Sequence, residues 1–369
     1  VKILHLADSH FQKKRLDECK RCFDYIVEYA IKEKPDWIFH AGDLFEKNTL
    51  INSPEYLAAV NGIMKLADVA PVIMIRGNHD PLYALDIFEK LDAKYPISYY
   101  DDMGILKNND FNLFMLPYMI ASDIGTGDSI GDIHKSAAGL IKFRIEEFKK
   151  ERNLDKPTFI IAHVSILDSR FANSERIQEG EVMLSVDDLN LDWIDGVMLG
   201  HIHNSQQDIF EKTRIRYAGA HYRTRFDEII EPGFFMWTLD GKISIDFIEI
   251  PARDMVQIVL NEKETKELIA GKALDIPPES DVKLILEIPQ GMTKLIDVKK
   301  LNYNPSINSN LEVAMRVNPV TEVRSKEIGK AITDKDKLNE WAKVSDVQIT
   351  SSIRKKLDEI INHDRGLYT

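Results

Sequence analysis

Short apolar runs closed by polar residues recur along this chain, and between them apolar positions return at helical spacing. Val1–Ala7 reads as a buried strand ending in Asp8-Ser9-His10. Leu16, Cys19, Phe23, Ile26, Val27, Ala30 and Ile31 then share one helical face, and Pro35 stops the helix. Asp36–Ala41 predicts a second strand, ending in Gly42-Asp43. Ser53-Pro54-Glu55 reads as an N-cap and first-turn proline opening a helix to about Ala67. Val72–Ile75 predicts a third strand, closed by Gly77-Asn78-His79-Asp80. Strand and helix alternating in this order imply a parallel sheet with right-handed crossovers.

Beyond Asp80 the alternation loosens. Ser98–Tyr100 and Phe111–Leu116 are strand-like, Asp123–Asp132 reads as a loop and Ala137–Lys150 as a helix. Thr158–Ala162 and Gly196–Leu199 predict buried strands, closed by His163 and by Gly200-His201-Ile202-His203. Phe171–Val186 has no clean period and reads as a loop or lid. Hairpin signals follow: Gln207–Phe210 with Ile215–Tyr217, then Gly233–Leu239 turning at Asp240-Gly241 into Lys242–Ile250. A mixed α/β domain with two sheets over residues 1–250 is the simplest account. Val256–Leu260, a helix near Thr265–Ala270, Val282–Ile288, a helix near Lys294–Leu301 and Leu311–Val317 then predict a small α+β domain over residues 251–318. Residues 319–369 read as a linker and a helical tail, with helices at Lys335–Ala342 and Ser351–Ile361.

The 369 residues leave room for two or three domains. No apolar run approaches the roughly twenty residues of a membrane span. Lys2–Ala7 is too short for a signal-peptide core, so a cytoplasmic protein away from membranes is expected. Cys19 and Cys22 have no second cysteine pair to complete a thiolate site, and they read more simply as helix residues. The net charge of −12 argues against nucleic-acid binding by bulk electrostatics, although divalent metals can supply a positive field locally.

The strand-closing residues carry the chemistry. Asp8, His10, Asp43, Asn78, His163, His201 and His203 form an oxygen-and-imidazole donor set without sulfur. Asp-X-His and His-X-His on extended backbone turn both side chains to one side. Such donors suit Mn²⁺, Fe or Zn²⁺, with Mg²⁺ a poorer match. Seven donors with one bridging carboxylate suffice for two ions, and ions about 3.5–4 Å apart acidify a shared water and clamp phosphoryl oxygens. His5 and His40 lie inside strands and are expected to pack.

At these residues the chain resembles the calcineurin-like metallophosphoesterases. Their signature stands here as Asp8/His10, Gly42/Asp43, Gly77–Asp80, His163 and Gly200–His203. The resemblance implies a two-sheet sandwich flanked by helices, with Asp8, His10, Asp43 and His203 holding one metal. Asp43 (bridging), Asn78, His163 and His201 would hold the other. His79 would meet the substrate phosphate and assist the leaving oxygen. Asp80 would orient that imidazole, or else open a helix ahead of Pro81.

Lys2–His10, Ala41–Glu46, Tyr217–Glu228 and the layout after Pro251 are similar to the SbcD-type DNA-repair nucleases. That resemblance implies two Mn²⁺, 3′→5′ exonuclease action on double-stranded DNA, and endonuclease action on single strands or hairpins. It also implies a capping domain, a homodimer, and a tail that binds an SbcC-like coiled-coil ABC-type ATPase. Gly219-Ala220-His221 departs from the Gly-Ser-Pro of such nucleases. His221 would be an extra phosphate ligand or a loop filler. Arg223 and Arg225 would hold DNA phosphates, or be balanced by Asp227 and Glu228. Rival readings are a phosphoesterase for phosphoproteins, cyclic nucleotides or other small esters, and a scaffold without catalysis.

Overall fold

The computed structural model describes residues 1–47, 49–81, 85–167, 169–170, 180–189, 191–206, 214–228, 230–289, 296–297, 301, 310–318 and 333–366. The first strands are β1 (Lys2–Leu6), β2 (Trp37–His40), β3 (Val72–Ile75), β4 (Ile97–Tyr100), β5 (Gly104–Lys107) and β6 (Asn112–Leu116). Then come β7 (Thr158–His163), β8 (Ser165–Ile166), β9 (Met183–Leu184), β10 (Gly196–Gly200) and β11 (Ile215–Tyr217). A hairpin of β12 (Gly233–Asp240) and β13 (Lys242–Glu249) follows. One sheet runs β13-β12-β1-β2-β3-β4 and the other β11-β10-β7-β6-β5. β1 to β4 pair in parallel, as do β6, β7, β10 and β11.

Alternate residues of one strand feed different cores. Leu4, Leu6 and Ile38 face helices α1 (Leu16–Glu33) and α2 (Pro54–Ala67). Ile3, Ala7 and Phe39 enter the layer between the sheets with Phe159, Met198 and Trp237. The outer face of the second sheet packs on Ala137, Ile141, Ile145 and Phe148. Both faces of the central strands are therefore buried, which is why they read as continuous apolar runs rather than alternating ones. α1 ends where Lys34 turns left-handed (φ 49°) and its N–H caps the Ala30 carbonyl, directly before Pro35.

Several expectations change. Asp123–Asp132 is not wholly a loop: the end of α3 (Ala121–Ile124) and the start of α4 (Ile130–Glu151) lie in it. Ser129 caps α4 by accepting the Asp132 N–H, so the helix begins before the apolar spacing declares it. β5, outside the sequence expectation, pairs antiparallel with β6. Gln207–Phe210 lies outside the described residues; Ile215–Tyr217 pairs in parallel with β10, and Tyr217 also makes an antiparallel bridge with Gln206. Most of Phe171–Val186 is likewise outside the description, although β9 closes on β8 and is followed by α5 (Val186–Leu189).

The later strands β14 (Asp254–Leu260), β15 (Ser280–Pro289) and β16 (Asn310–Asn318) make a three-stranded sheet. α6 (Glu262–Ile269) follows β14 and opens on a capping box between Asn261 and Glu264. The helix expected near Lys294–Leu301 lies largely outside the described residues. α7 (Asp334–Val344) and α8 (Ser351–Gly366) are joined by Lys335 Nζ and Asp358 Oδ1 at 2.6 Å. The chain divides into two compact units, Val1–Ile258 with Asp275–Leu284 and Tyr303–Glu312, and Val259–Leu274 with Ile285–Asn302 and Val313–Thr369. Among the described residues, no helix is long and apolar enough to cross a membrane.

Candidate metal centre

The loops closing β1, β2, β3, β7 and β10 bring all seven predicted donors together. Asp43 Oδ2 lies 3.6 Å from His10 Nε2 and 3.5 Å from His163 Nε2. Asn78 Oδ1 lies 2.9 Å from His163 Nε2 and 2.9 Å from His201 Nδ1. The rings of His10 and His203 are 4.6 Å apart. Ligand atoms of Asp8, His10 and Asp43 fall within 4.8 Å of one another. Two donors each bound to one ion at about 2.1 Å sit roughly 3.0–3.4 Å apart; the Asp43 oxygen lies slightly beyond that from both imidazoles and would be a donor shared by both ions.

The backbone is bent to achieve this. Asp8, His10 and Asp43 adopt φ of 51°, 41° and 55°, and His201 adopts 99°, conformations that L-residues otherwise avoid. Gly77 has no freedom to be anything else, because a Cβ there would lie 2.1 Å from Asp43 Oδ1. His10 is held from behind: the Tyr222 hydroxyl donates to its carbonyl (2.7 Å) and Gln12 donates to Tyr222 (2.9 Å).

Three histidines have one ring nitrogen secured away from the centre. His163 Nδ1–H donates to the Ala41 carbonyl (2.7 Å), His203 Nδ1 meets Glu228 Oε1 (2.8 Å), and His201 Nε2 lies 3.3 Å from Glu181 Oε2. Outer partners of this kind select the tautomer and aim the other nitrogen at a cation. His10 differs: both its ring nitrogens are buried and, among the described residues, have no hydrogen-bond partner. A buried orphan nitrogen facing carboxylates is a strong fit to a metal ion.

Electrostatics agree with a site built around positive charge. Burial, with Asp43 nearby, pushes the Asp8 carboxyl up to about 6. Burial also acts on Asp43, but His163 and His10 outweigh it and hold that carboxyl well below its usual range. His163 is pulled down by burial and carried up to about 9 by Asp43, Asp8 and the Ala41 carbonyl. His10 is held low by burial and by His203.

His79 sits over this set with its side chain 16% exposed, and its ring is 4.8 Å from that of His10. Its Nδ1 is 2.7 Å from Glu46 Oε1. The expectation that Asp80 orients His79 is corrected. The Asp80 carboxylate turns inward and accepts the backbone N–H groups of Asp43 (2.9 Å), Gly77 (2.9 Å) and Phe45 (3.0 Å). It fixes the loops that carry donors, and Glu46 takes the role at the imidazole.

The remaining candidates are structural. His5 packs between the sheets and donates to the Leu199 carbonyl (3.2 Å), and His40 lies 2.8 Å from Ser9 Oγ. His221 is buried among Phe11, Phe23 and Tyr222, 3.6 Å from Cys19 Sγ, and so fills the loop. Burial pushes the Cys19 and Cys22 thiols up, as expected of core helix residues. Arg223 is buried against Glu231 (2.8 Å) and Asp254 (3.4 Å), not against Asp227 and Glu228.

The profile of one family, described as calcineurin-like phosphoesterase, matches residues 1–205, more than half the chain and the whole donor set. The chain belongs to that family. Among solved structures, a dimetal phosphatase from Danio rerio aligns to this calcineurin-like phosphoesterase with a TM-score of 0.43 and 9% identity, over 67% of this chain and 96% of that one. The sequence reading of this phosphoesterase gave Glu46, Glu181 and Glu228 no role at the metal centre. Glu228 entered it only as a balance for Arg223 and Arg225, Glu181 stands in no strand-end pattern, and Glu46 lies three residues past Asp43.

Proposed function

We propose that this phosphoesterase is a metal-dependent nuclease that cuts DNA phosphodiesters. The observation that carries the hydrolytic chemistry is Asp43 Oδ2 placed between His10 and His163 beneath a half-buried His79. Asp8, His10, Asp43 and His203 would hold one ion, and Asp43, Asn78, His163 and His201 the other. When bound, a pair of divalent cations acidifies a shared water and offsets charge on the phosphoryl oxygens. Glu46 fixes the His79 ring by Nδ1, leaving Nε2 to meet the phosphate and to hold a proton for the departing oxygen.

The DNA substrate is supported by the likeness of Ala41–Glu46 and Tyr217–Glu228 to SbcD-type nucleases and by the segments that follow Pro251. On the same basis the ions are two Mn²⁺ and the protein is a cytoplasmic homodimer. On that likeness the segment 251–318 is the counterpart of the capping domain of such nucleases. An SbcC-like ATPase binds the tail, where Trp341 is 44% exposed. The experiment compares turnover of duplex DNA, bis-p-nitrophenyl phosphate and cyclic nucleotides in Mn²⁺. DNA degradation by wild type, lost in Asp8→Ala and His79→Ala, is expected. Hydrolysis of the small esters alone would sink the nuclease and leave the second reading, a small-ester phosphatase, which the net charge of −12 favours. Co-purification with gene neighbours tests the ATPase, and light scattering tests the homodimer.

A further inference from the structure

His10 stands between two carboxylates. Its Nε2 lies 3.6 Å from Asp43 Oδ2 on the inner side, and its Nδ1 lies 3.5 Å from Glu46 Oε2 on the outer side. The side chain is fully buried, and neither nitrogen has a hydrogen-bond partner among the described residues. His163, His201 and His203 each have an outer group that decides which nitrogen faces the metal centre; for His10 the two sides are nearly equivalent. Glu46 also meets His79 Nδ1 at 2.7 Å, and ligand atoms of His10, Glu46 and His79 all fall within 4.8 Å of one another. Of these three residues, only His10 belongs to the donor set of the metal pair.

Two imidazoles and a carboxylate are the protein donors of a common zinc arrangement that keeps one position open. Zn²⁺ binds such nitrogen and oxygen donors more tightly than Mn²⁺ does. The way in is open, since the side chain of Glu46 is 35% exposed and that of His79 16%. We propose that His10 Nδ1, Glu46 and His79 Nδ1 form a third, outer cation site that takes Zn²⁺ and inhibits the enzyme. A neutral imidazole has one lone pair to give, so His10 serves either the metal pair through Nε2 or the outer site through Nδ1. In the second case its proton sits on Nε2, facing Asp43. The His79 proton likewise moves from Nδ1 to Nε2 and Glu46 stays a carboxylate, so no proton is gained or lost. His10 is thereby withdrawn from the site containing Asp8, Asp43 and His203. His79, held by Nδ1, can no longer carry a second proton for the departing oxygen. The inhibition rests on the hydrolytic reading of His79; the outer site itself does not depend on that reading or on DNA as substrate.

The test is equilibrium dialysis of the full chain against Zn²⁺ and, separately, against Mn²⁺, followed by metal analysis. Wild type is expected to retain about three Zn²⁺ but about two Mn²⁺ per chain. Glu46→Ala and His79→Ala should each lower the zinc count by about one and leave the manganese count unchanged. On bis-p-nitrophenyl phosphate in saturating Mn²⁺, the Zn²⁺ concentration that halves the rate should rise about tenfold in Glu46→Ala, measured against that variant's own residual rate. Equal zinc counts in wild type and both variants overturn the outer site and leave the metal pair standing. A lower zinc count with an unchanged half-inhibiting concentration overturns the inhibition. Wild type that retains neither metal and hydrolyses no ester overturns the metal pair and the outer site together. Either variant answers the zinc count should the other fail to fold.

Discussion

Glu46 Oε1 lies 2.7 Å from His79 Nδ1, and the other oxygen of the same carboxylate lies 3.5 Å from His10 Nδ1. One side chain thus steadies the imidazole proposed to meet the substrate and approaches a candidate metal donor beneath it. Burial raises the Glu46 carboxyl, but the hydrogen bond and charge of His79, with the Lys47 backbone N–H, together outweigh it and hold the carboxyl below its usual range. Glu46→Ala should therefore lower kcat for a phosphodiester by about a hundredfold, with KM little changed. Glu46→Asp should recover less than the full rate because its shorter stem falls back from the ring. Steady-state kinetics on bis-p-nitrophenyl phosphate decides this.

Asp80 acts through the backbone. Its carboxylate satisfies three buried N–H groups, and bonds to a charged acceptor contribute about 1.5–3 kcal/mol each. Asp80→Ala should destabilise the protein by several kcal/mol and lower Tm by roughly 10 °C. Asp80→Asn keeps an acceptor oxygen and should lose less. Differential scanning calorimetry gives the answer, and an Asp80→Ala protein that melts like wild type would refute the assignment.

Glu228 and Glu181 each back one histidine. Burial raises the Glu228 carboxyl while His203 and Thr224 outweigh it and hold it low, so it remains an anion against the ring. Glu228→Gln should weaken Mn²⁺ at the site containing His203 by about 10–100-fold, and Glu181→Gln should do the same at the site containing His201. Isothermal titration calorimetry with Mn²⁺ should resolve one weakened and one retained site in each variant.

Acid should unfold the protein through imidazoles that bind no metal. Burial pulls His5, His40 and His221 to about 3, from an ordinary value of 6.5. Between those values the unfolded chain binds protons that the folded chain refuses, so stability falls as pH falls below 6.5. Up to three protons should be taken up on unfolding near pH 5. Urea titrations from pH 7 to pH 4 measure the slope, and His221→Gln should make it shallower by about one proton.

The donor set was legible because each member closes an apolar strand, and strand ends of parallel sheets converge on one edge. The double burial of those strands was legible for the same reason, in Val72–Ile75 and Gly196–Leu199. Asp80 was misread because adjacency to His79 in sequence says nothing about where a side chain turns once the backbone leaves the strand. Glu228 meets His203 at a separation of 25 positions in sequence, with β11 in between, a contact made by the fold and by no local period. β5 was missed since Gly104–Lys107 has neither a long apolar run nor clear alternation, and its pairing with β6 supplies what propensity lacks.

The sorting of alternate β1 and β2 side chains into separate cores has a reach beyond stability. Sliding either strand by one residue would swap Ile3 with Leu4, or Ile38 with Phe39, between layers. The same slip would swing Asp8 or Asp43 to the wrong side of the chain. Grease and cation are thereby proofread together: a chain that misthreads its apolar residues also forfeits its ions, so a half-built protein has no means of cutting anything.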